Sequence, residues 1–558
     1  MATQKTTKAT AKAKSEEVNK KEKKVAVKQE EKAESITQTA TAPKKRACRA
    51  KATEKTQKAE LKAKKSVAKK EKVVEVEIKN KKRVMFVASE GLPFIKTGGL
   101  ADVIGSLPKY LADRDNYDVS VIMPMYSKID EGMRSNFSFI GNFNVGLSWR
   151  NLYCGLFSCR LDGVTYYFID NEYYFKRDNV YGCFDDGERF AFFSKAVLDS
   201  LGFMNFYPDV LHCNDWQSAL TVIYLKTLYA DKFGFSEIKT LYSIHNIEYQ
   251  GIYGMDTFAD LFGLPDWARW MVEFNGCVNL MKGAIEASDK VSTVSPTYAE
   301  EIKDSYFAHG LDGIMRSNQH KLCGILNGLD LHLYNPEKDT ALFKNYSASD
   351  MSGKAECKSE LQKMLGLPVR DVPVIAVISR LVSHKGLDLV KGILDELLCE
   401  DVQFIVLGKG DVEYENYFKY MESRYNGKCR ALIAFNRDMA SKIYSGADIF
   451  LMPSKQEPCG LSQMIACRYG TIPVVRRTGG LADSIVAFNN DRKQGNGFAF
   501  TNYNAHEMLY VIKDAIFTYG DKTVWNALVQ SAVNSDFSWD KSSKEYEAVY
   551  DVFTGDKQ

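Results

Sequence analysis

The sequence predicts an α/β protein built as two doubly wound domains, each a parallel sheet with helices on both faces. Three observations lead there. From residue 83 onward, short apolar runs alternate with longer amphipathic stretches, the rhythm of strand and crossover helix. That rhythm breaks once, in a polar stretch around residues 335–353, and then restarts. A chain of 558 residues is also longer than a single hydrophobic core organises.

The N-terminal segment is of another kind. Residues 1–83 carry 27 Lys and Arg against 11 Asp and Glu, a net charge of +16, with no Phe, Trp, Tyr or Gly. Residues 84–558 carry 47 basic and 60 acidic side chains, so the overall +3 conceals a split. Without aromatics the first segment cannot bury enough apolar surface to offset its ordering entropy, and a disordered basic tail is expected over residues 1–82. Its early glutamates, Glu16, Glu17, Glu22, Glu30 and Glu31, match a transit peptide poorly, and it lacks the apolar stretch of a secretory signal. Its charge suits either a solvated tail or weak association with a polyanion such as nucleic acid. No run of roughly 18 apolar residues is present, so no membrane span is expected. Twelve cysteines are scattered without a CxxC pair, which excludes zinc-ribbon and thioredoxin readings and suits a reducing cytoplasm.

In the first series, strands are expected at residues 84–88, 119–123, 166–169, 210–212, 240–244 and 291–294, with helices such as 189–201 and 217–230 between them. In the second, they are expected at 374–378, 404–407, 431–434, 449–452 and 471–475. One phrase occurs in both series. Lys96-Thr97-Gly98-Gly99-Leu100-Ala101-Asp102 matches Arg477-Thr478-Gly479-Gly480-Leu481-Ala482-Asp483. Each is expected between a strand and a helix. Glycines there let a ligand approach the backbone, and free N–H groups at a helix start attract anions.

Chemistry-bearing residues cluster at predicted strand ends, where doubly wound sheets bind ligands. Arg380 and Lys385 share one strand-exit loop and suit a diphosphate, with the Arg as a fork and the Lys as a point charge. Glu457 follows the strand at 449–452, with Cys459, Gly460 and Leu461 just after it. His245 and Asn246 end one strand of the first series, and His212 to Trp216, with Asp215 among them, ends another. Gly408-Lys409-Gly410 reads equally well as a plain turn. Asp113-Arg114-Asp115 has the form of a metal-binding DxD but ends a helical pattern, so it reads as surface, and no metal or other cofactor is expected.

Together these residues resemble the bacterial glycogen synthases and plastid starch synthases. The resemblance runs from about Arg83 to Gly555. It rests on Lys-Thr-Gly-Gly-Leu-Ala-Asp-Val at 96–103, Asn-Asp-Trp at 214–216, Ile-His-Asn at 244–246 and Asn-Gly-Leu-Asp at 327–330. It continues through Ser-Arg-Leu with Lys-Gly at 379–386, Glu-Pro-Cys-Gly-Leu at 457–461, Arg-Arg-Thr-Gly-Gly-Leu at 476–481 and Phe-Ser-Trp at 537–539. It implies a GT-B architecture, two Rossmann-like domains facing across a cleft. The division would be an acceptor-side domain at 83–333, a nucleotide-sugar domain at 334–536 and a helix at 537–558 returning to the first domain. It implies a retaining, metal-independent transfer of glucose from ADP-glucose to the non-reducing end of an α-1,4-glucan such as glycogen.

By the same resemblance, His245, Asp215, Arg380, Lys385 and Glu457 would be catalytic. Lys96, Gly98, Gly99, Asp102, Asn246, Phe435, Cys459, Gly460, Leu461, Thr478 and Gly480 would bind substrate, with Thr478 and Gly480 meeting the phosphates. Two positions depart from the family. Ile433-Ala434-Phe435 replaces Ile-Gly-Tyr, which keeps an aromatic face for the base but loses a hydroxyl, and Gln456 replaces the Phe before the Glu. A UDP-glucose-dependent transferase, a non-catalytic glucan-binding protein and a nucleic-acid-binding protein acting through its tail fit parts of the same pattern.

Overall fold

The computed structural model describes residues 81–489 and 494–554. The predicted basic tail therefore lies outside the described residues, apart from its last two positions. Strands of the first half are β1 (Lys82–Val87), β2 (Tyr117–Pro124), β3 (Ser138–Leu147), β4 (Arg150–Leu161), β5 (Val164–Asp170), β6 (Val210–Asn214), β7 (Lys239–Ile244), β8 (Ile252–Gly254), β9 (Glu273–Phe274), β10 (Cys277–Asn279), β11 (Lys290–Thr293) and β12 (Leu322–Gly324). Among the described residues they form a nine-stranded sheet in the order β12-β11-β7-β6-β1-β2-β5-β4-β3, and a small sheet of β8, β10 and β9. The second half has β13 (Val374–Ile378), β14 (Gln403–Leu407), β15 (Cys429–Leu432), β16 (Ile449–Met452), β17 (Ile472–Arg476) and β18 (Phe498–Phe500). These form one parallel sheet, β15-β14-β13-β16-β17-β18. Two Rossmann-like sheets facing across a cleft make this a GT-B fold.

The central strands are apolar on both faces because helices cover both sides. Helix Gly99–Ala112, which connects the parallel strands β1 and β2, shows how a crossover is encoded: Leu100, Val103, Ile104, Leu107 and Leu111 recur at helical spacing, and all five are buried. The expectation of a purely parallel first sheet is corrected at one edge, where β4 runs antiparallel to both β3 and β5. Along β3 the side chains from Gly141 to Leu147 alternate between inward and exposed. Such a half-polar hairpin has no dense apolar run, so it escaped a search for buried strands. The strand expected at 431–434 is shifted to Cys429–Leu432, which leaves Ala434 and Phe435 in the following loop.

Sheet order fixes where ligands can bind. In the first sheet the chain leaves β1 for β2 on one side and later returns to β6 on the other. In the second it leaves β13 for β14 and returns to β16. At such a switch point adjacent loops diverge and open a crevice beyond the strand ends. The crevices therefore lie between the exits of β1 and β6, and between those of β13 and β16. The last helix, Trp539–Thr554, packs on the first half. The Tyr550 hydroxyl lies 2.8 Å from His212 Nδ1, Arg114 pairs with Asp540 at 2.7 Å, and Ser542 Oγ donates to the Leu326 carbonyl at 2.6 Å. The core of the first half continues into the second through Phe450, Cys459, Met464 and Ile465. No helix among the described residues is long and apolar enough to cross a membrane.

Candidate active site

The second-half crevice brings together two residues 72 positions apart. Lys385, on the exit loop of β13, places its Nζ 2.7 Å from Glu457 Oε2, on the exit loop of β16. Ser454 Oγ donates to the same oxygen at 2.9 Å. Both side chains are largely buried, so the pair is weakly screened and its geometry is tightly held. Gly386 allows this approach: at φ +73 it lies in the left-handed region, and a Cβ there would collide with the Pro453 carbonyl. Arg380 stands exposed beside the pair, with no side-chain hydrogen bond or ion pair among the described residues. Between them, His384 is held below its ordinary pKa by burial and by the neighbouring charges of Lys385 and Arg380.

The first-half crevice holds a different group. Asp215 opens the helix Asp215–Thr227 at φ +54, a conformation a short acidic side chain tolerates at a sharp strand-to-helix turn. Its Oδ1 accepts the backbone N–H of His245 at 2.8 Å and that of Asn246 at 3.4 Å. Burial pushes its carboxyl up to about 7, against the pull of those two donors. His245 Nε2 donates to Asn214 Oδ1 at 2.9 Å, which leaves Nδ1 as the bare ring nitrogen. Burial lowers this imidazole to about 4, so it is neutral at pH 7. His212, in the same predicted cluster, is a core residue instead, with ring nitrogens bonded to Tyr550 and Ser243.

Facing this group is the loop after β1. Lys96 Nζ pairs with Asp102 at 2.7 Å. Burial raises the Asp102 carboxyl, and Lys96 pulls it back. Gly99 is exposed, and a Cβ built there meets nothing within 4 Å, so backbone and open space adjoin. Beneath the turn sits Glu90, which sequence reasoning missed. Its carboxylate accepts from the Thr97 backbone N–H, from Thr97 Oγ1 at 2.6 Å and from the Gly98 N–H at 3.2 Å. Burial raises its pKa. The signal was present, since Ser89-Glu90 follows the end of β1 just as Asp215 follows β6.

The second Thr-Gly-Gly turn is held differently from the first. Thr478 and Gly480 are buried. Thr478 Oγ1 donates to Glu301 Oε1 at 2.8 Å and the Gly479 N–H donates to Glu301 Oε2 at 3.0 Å. The Gly480 N–H is shared between the carbonyls of Glu457 and Pro458, at 3.2 and 3.1 Å. These donors serve the protein itself. Nothing local marks Glu301, which reaches over from the first half. Cys459 is likewise buried, and burial pushes its thiol up to about 12, away from the reactive thiolate form. Gly460, at φ +72, turns the chain into the helix Ser462–Arg468, with Leu461 packed half-buried at its start. Phe435 is 95% exposed in the loop after β15, an uncovered aromatic face.

A cavity of about 480 Å³ spans the two halves. Glu248, Tyr306 and His309 line it from the first, two residues past Asn246 and beyond; His384, Gln456 and Tyr503 line it from the second, beside Lys385 and Glu457. Gln456 bridges the cleft: its Oε1 lies 3.2 Å from His309 Nε2, and its Nε2 donates to the Tyr306 carbonyl at 3.3 Å. Among the described residues one group has metal-ligand spacing, Cys183, Asp185 and Asp186, and its carboxylates already pair with Arg177 and Arg189.

Comparison with known proteins places this geometry. Residues 83–317 match the family model described as starch synthase catalytic domain, and residues 365–517 match glycosyl transferases group 1. A glycogen synthase of Clostridium acetobutylicum is 50% identical over 473 residues, covering 84% of this chain and 99% of that protein. A glycogen synthase of Bacillus cereus is 47% identical over 470 residues, covering 84% and 98%. Among solved structures, the catalytic domain of starch synthase IV from Arabidopsis thaliana, bound to ADP and acarbose, superposes with a TM-score of 0.78 at 32% identity, covering 85% and 99%. Sucrose-phosphate synthase from Thermosynechococcus elongatus shares the fold at a TM-score of 0.54 and 15% identity.

Proposed function

Since this chain belongs to the glycogen synthase and starch synthase family of glycosyltransferases, we propose that it moves glucose from ADP-glucose to the non-reducing end of an α-1,4-glucan, with retention at the anomeric carbon. The observation that carries the reading is the Lys385–Glu457 pair at the second switch point, on the same loops as His384 and Gln456, which line a cavity shared by both halves. As the bond from the sugar to the diphosphate breaks, ADP leaves with the electron pair and the sugar gains oxocarbenium character. Lys385 and the exposed Arg380 stabilise the charge growing on the phosphates. Glu457, buried and held by Lys385, stabilises the charge on the sugar. Asp215 fixes the backbone of His245 and Asn246 so that the neutral imidazole can meet the donor glucose.

Lys96, Gly98 and Gly99 border the diphosphate from the opposite side, and Phe435 offers its open face to the base. The Tyr306 and Tyr503 rings in the cavity suit the apolar faces of an acceptor glucan. That the starch synthase IV domain was solved with ADP and acarbose supports both halves of this assignment. The working division is 83–333 for the acceptor side, 334–536 for the nucleotide-sugar side and 537–558 for the returning helix. Eleven described cysteines, all free thiols, fit a cytoplasmic enzyme.

The test is ADP release from ADP-glucose with and without glycogen, set against UDP-glucose. Glycogen-dependent ADP release, with UDP-glucose a poor donor, is expected. Preference for UDP-glucose would overturn the donor assignment, and glucan binding without release from either donor would overturn catalysis.

A further inference from the structure

We infer that Glu301 is a positioning residue for Glu457, acting from the opposite half of the molecule. The inference rests on the proposed glucosyl transfer and names a residue that sets its geometry.

The contacts form one continuous path. Glu301 ends the helix Pro296–Glu301 of the first half, and its two carboxylate oxygens take the Thr478 hydroxyl and the Gly479 N–H. The turn so held has no slack against the Glu457 loop. Gly479 lies at φ +43, and a Cβ on it would collide with the Glu457 carbonyl; a Cβ on Gly480 would collide with the Cys459 carbonyl. The Gly480 N–H donates back to the Glu457 and Pro458 carbonyls. At the end of the path, the Glu457 carboxylate meets Lys385.

Two further contacts join the same elements. Asp483 accepts from the Thr297 N–H at 2.8 Å and from Thr297 Oγ1 at 2.6 Å, returning from the second half the grip that Glu301 exerts from the first. Ser295 Oγ donates to the Pro458 carbonyl at 2.8 Å, one residue from Glu457. Three side chains within seven residues of the first half, or gripped there, thus fix the backbone that carries the proposed catalytic carboxylate. Glu301 is half-buried, and both of its oxygens are committed to the turn. The correct placement of Glu457 therefore depends on the two halves being docked. Arg380 and Lys385 are carried by the exit loop of β13, whose backbone Glu301 and Thr478 do not hold, so the donor should still bind when the path is broken.

Glu301→Gln and Thr478→Val test this, with Thr478→Ser as the conservative control that keeps the hydroxyl. The expected result is a kcat lowered by about tenfold to a hundredfold in both variants, because small misplacements near reacting atoms are costly. KM for ADP-glucose should stay within about twofold, and Thr478→Ser should behave as the unchanged protein. The double variant Glu301→Gln/Thr478→Val should lose little more than either single one, since both remove a shared contact. Amide hydrogen exchange at Gly479 and Gly480 should quicken in Glu301→Gln. Unchanged kcat in a folded Glu301→Gln protein, or a raised KM with kcat intact, would overturn the inference while leaving the transferase reading in place. Should the unchanged protein release no ADP, the functional reading fails, and the exchange measurement still decides the path: unaltered exchange in Glu301→Gln refutes it.

Discussion

The turn at Thr97-Gly98-Gly99 and the turn at Thr478-Gly479-Gly480 carry the same residues, each opens a helix, and each is gripped by a carboxylate. They differ in what the grip leaves over. Glu90 holds the first turn from within its own half, and Thr97 and Gly99 remain exposed toward open space. Glu301 holds the second from the other half, all three of its residues are buried, and its glycines are pressed against the loop that carries Glu457. In the first turn the missing Cβ leaves room for a ligand; in the second it leaves room for the protein's own carbonyls. A repeated phrase thus leaves backbone open in one half and makes a buried joint in the other, and only the tertiary partner distinguishes them.

The largest effect should come from the charge at the end of the scaffold path. Lys385→Gln should lower kcat by about 10²–10³ while the thermal transition stays close to that of the unchanged protein. Steady-state kinetics beside a melting curve checks this, and unaltered turnover would remove Lys385 from the site. Next comes Gly480→Ala. The added methyl has only the Cys459 backbone to displace, so a stability loss of about 1–3 kcal/mol should accompany a roughly hundredfold fall in kcat. Denaturant titration and kinetics on one sample separate the two losses.

The first-half crevice should respond to pH through Asp215, which holds the backbone of His245 and Asn246. Its folded carboxyl titrates at about 7, against about 3.9 in an unfolded chain. The native state then holds this proton more tightly, so the stabilising contribution is complete below about pH 4 and is lost as pH rises through 7. His245, lowered to about 4, works in the opposite sense over about pH 4 to 6.5. Comparison of Asp215→Asn with the unchanged protein isolates the first term: stability of the variant should fall less steeply from pH 4 to 7. A steeper fall would reverse the assigned shift.

The smallest effect is expected at Gly99, the counterpart of Gly480. Gly99→Ala should change stability by no more than about 1 kcal/mol, since Ala favours a helix and nothing occupies the space. It should raise KM for ADP-glucose more than it lowers kcat. A collapse of stability comparable to that of Gly480→Ala would erase the contrast between the turns.

The alternation of apolar runs made the strands legible, because a strand covered on both faces must be apolar throughout. The hairpin of β3 and β4 was not, since one of its faces meets water. At the candidate site, polar residues on the loops that leave buried strands pointed to Asp215, His245, Lys385 and Glu457. The same rule, applied to β1, would have found Glu90. Glu301 obeys no local rule. Glu301 is one acidic residue on a short helix, and its partner lies 177 residues away in the other half. At Thr478 and Gly480, identity with the first turn implies an exposed turn, whereas packing against the Glu457 loop buries it.

A structure of the protein bound to ADP-glucose or ADP tests the division of labour between the turns most directly. The account predicts the diphosphate beside Arg380 and Lys385, facing the open backbone at Gly98 and Gly99, with Glu301 still bonded to Thr478 and Gly479. Phosphate oxygens found in place of the Glu301 carboxylate, with that side chain swung away from Thr478, would show the second turn to be a ligand site and would contradict the account.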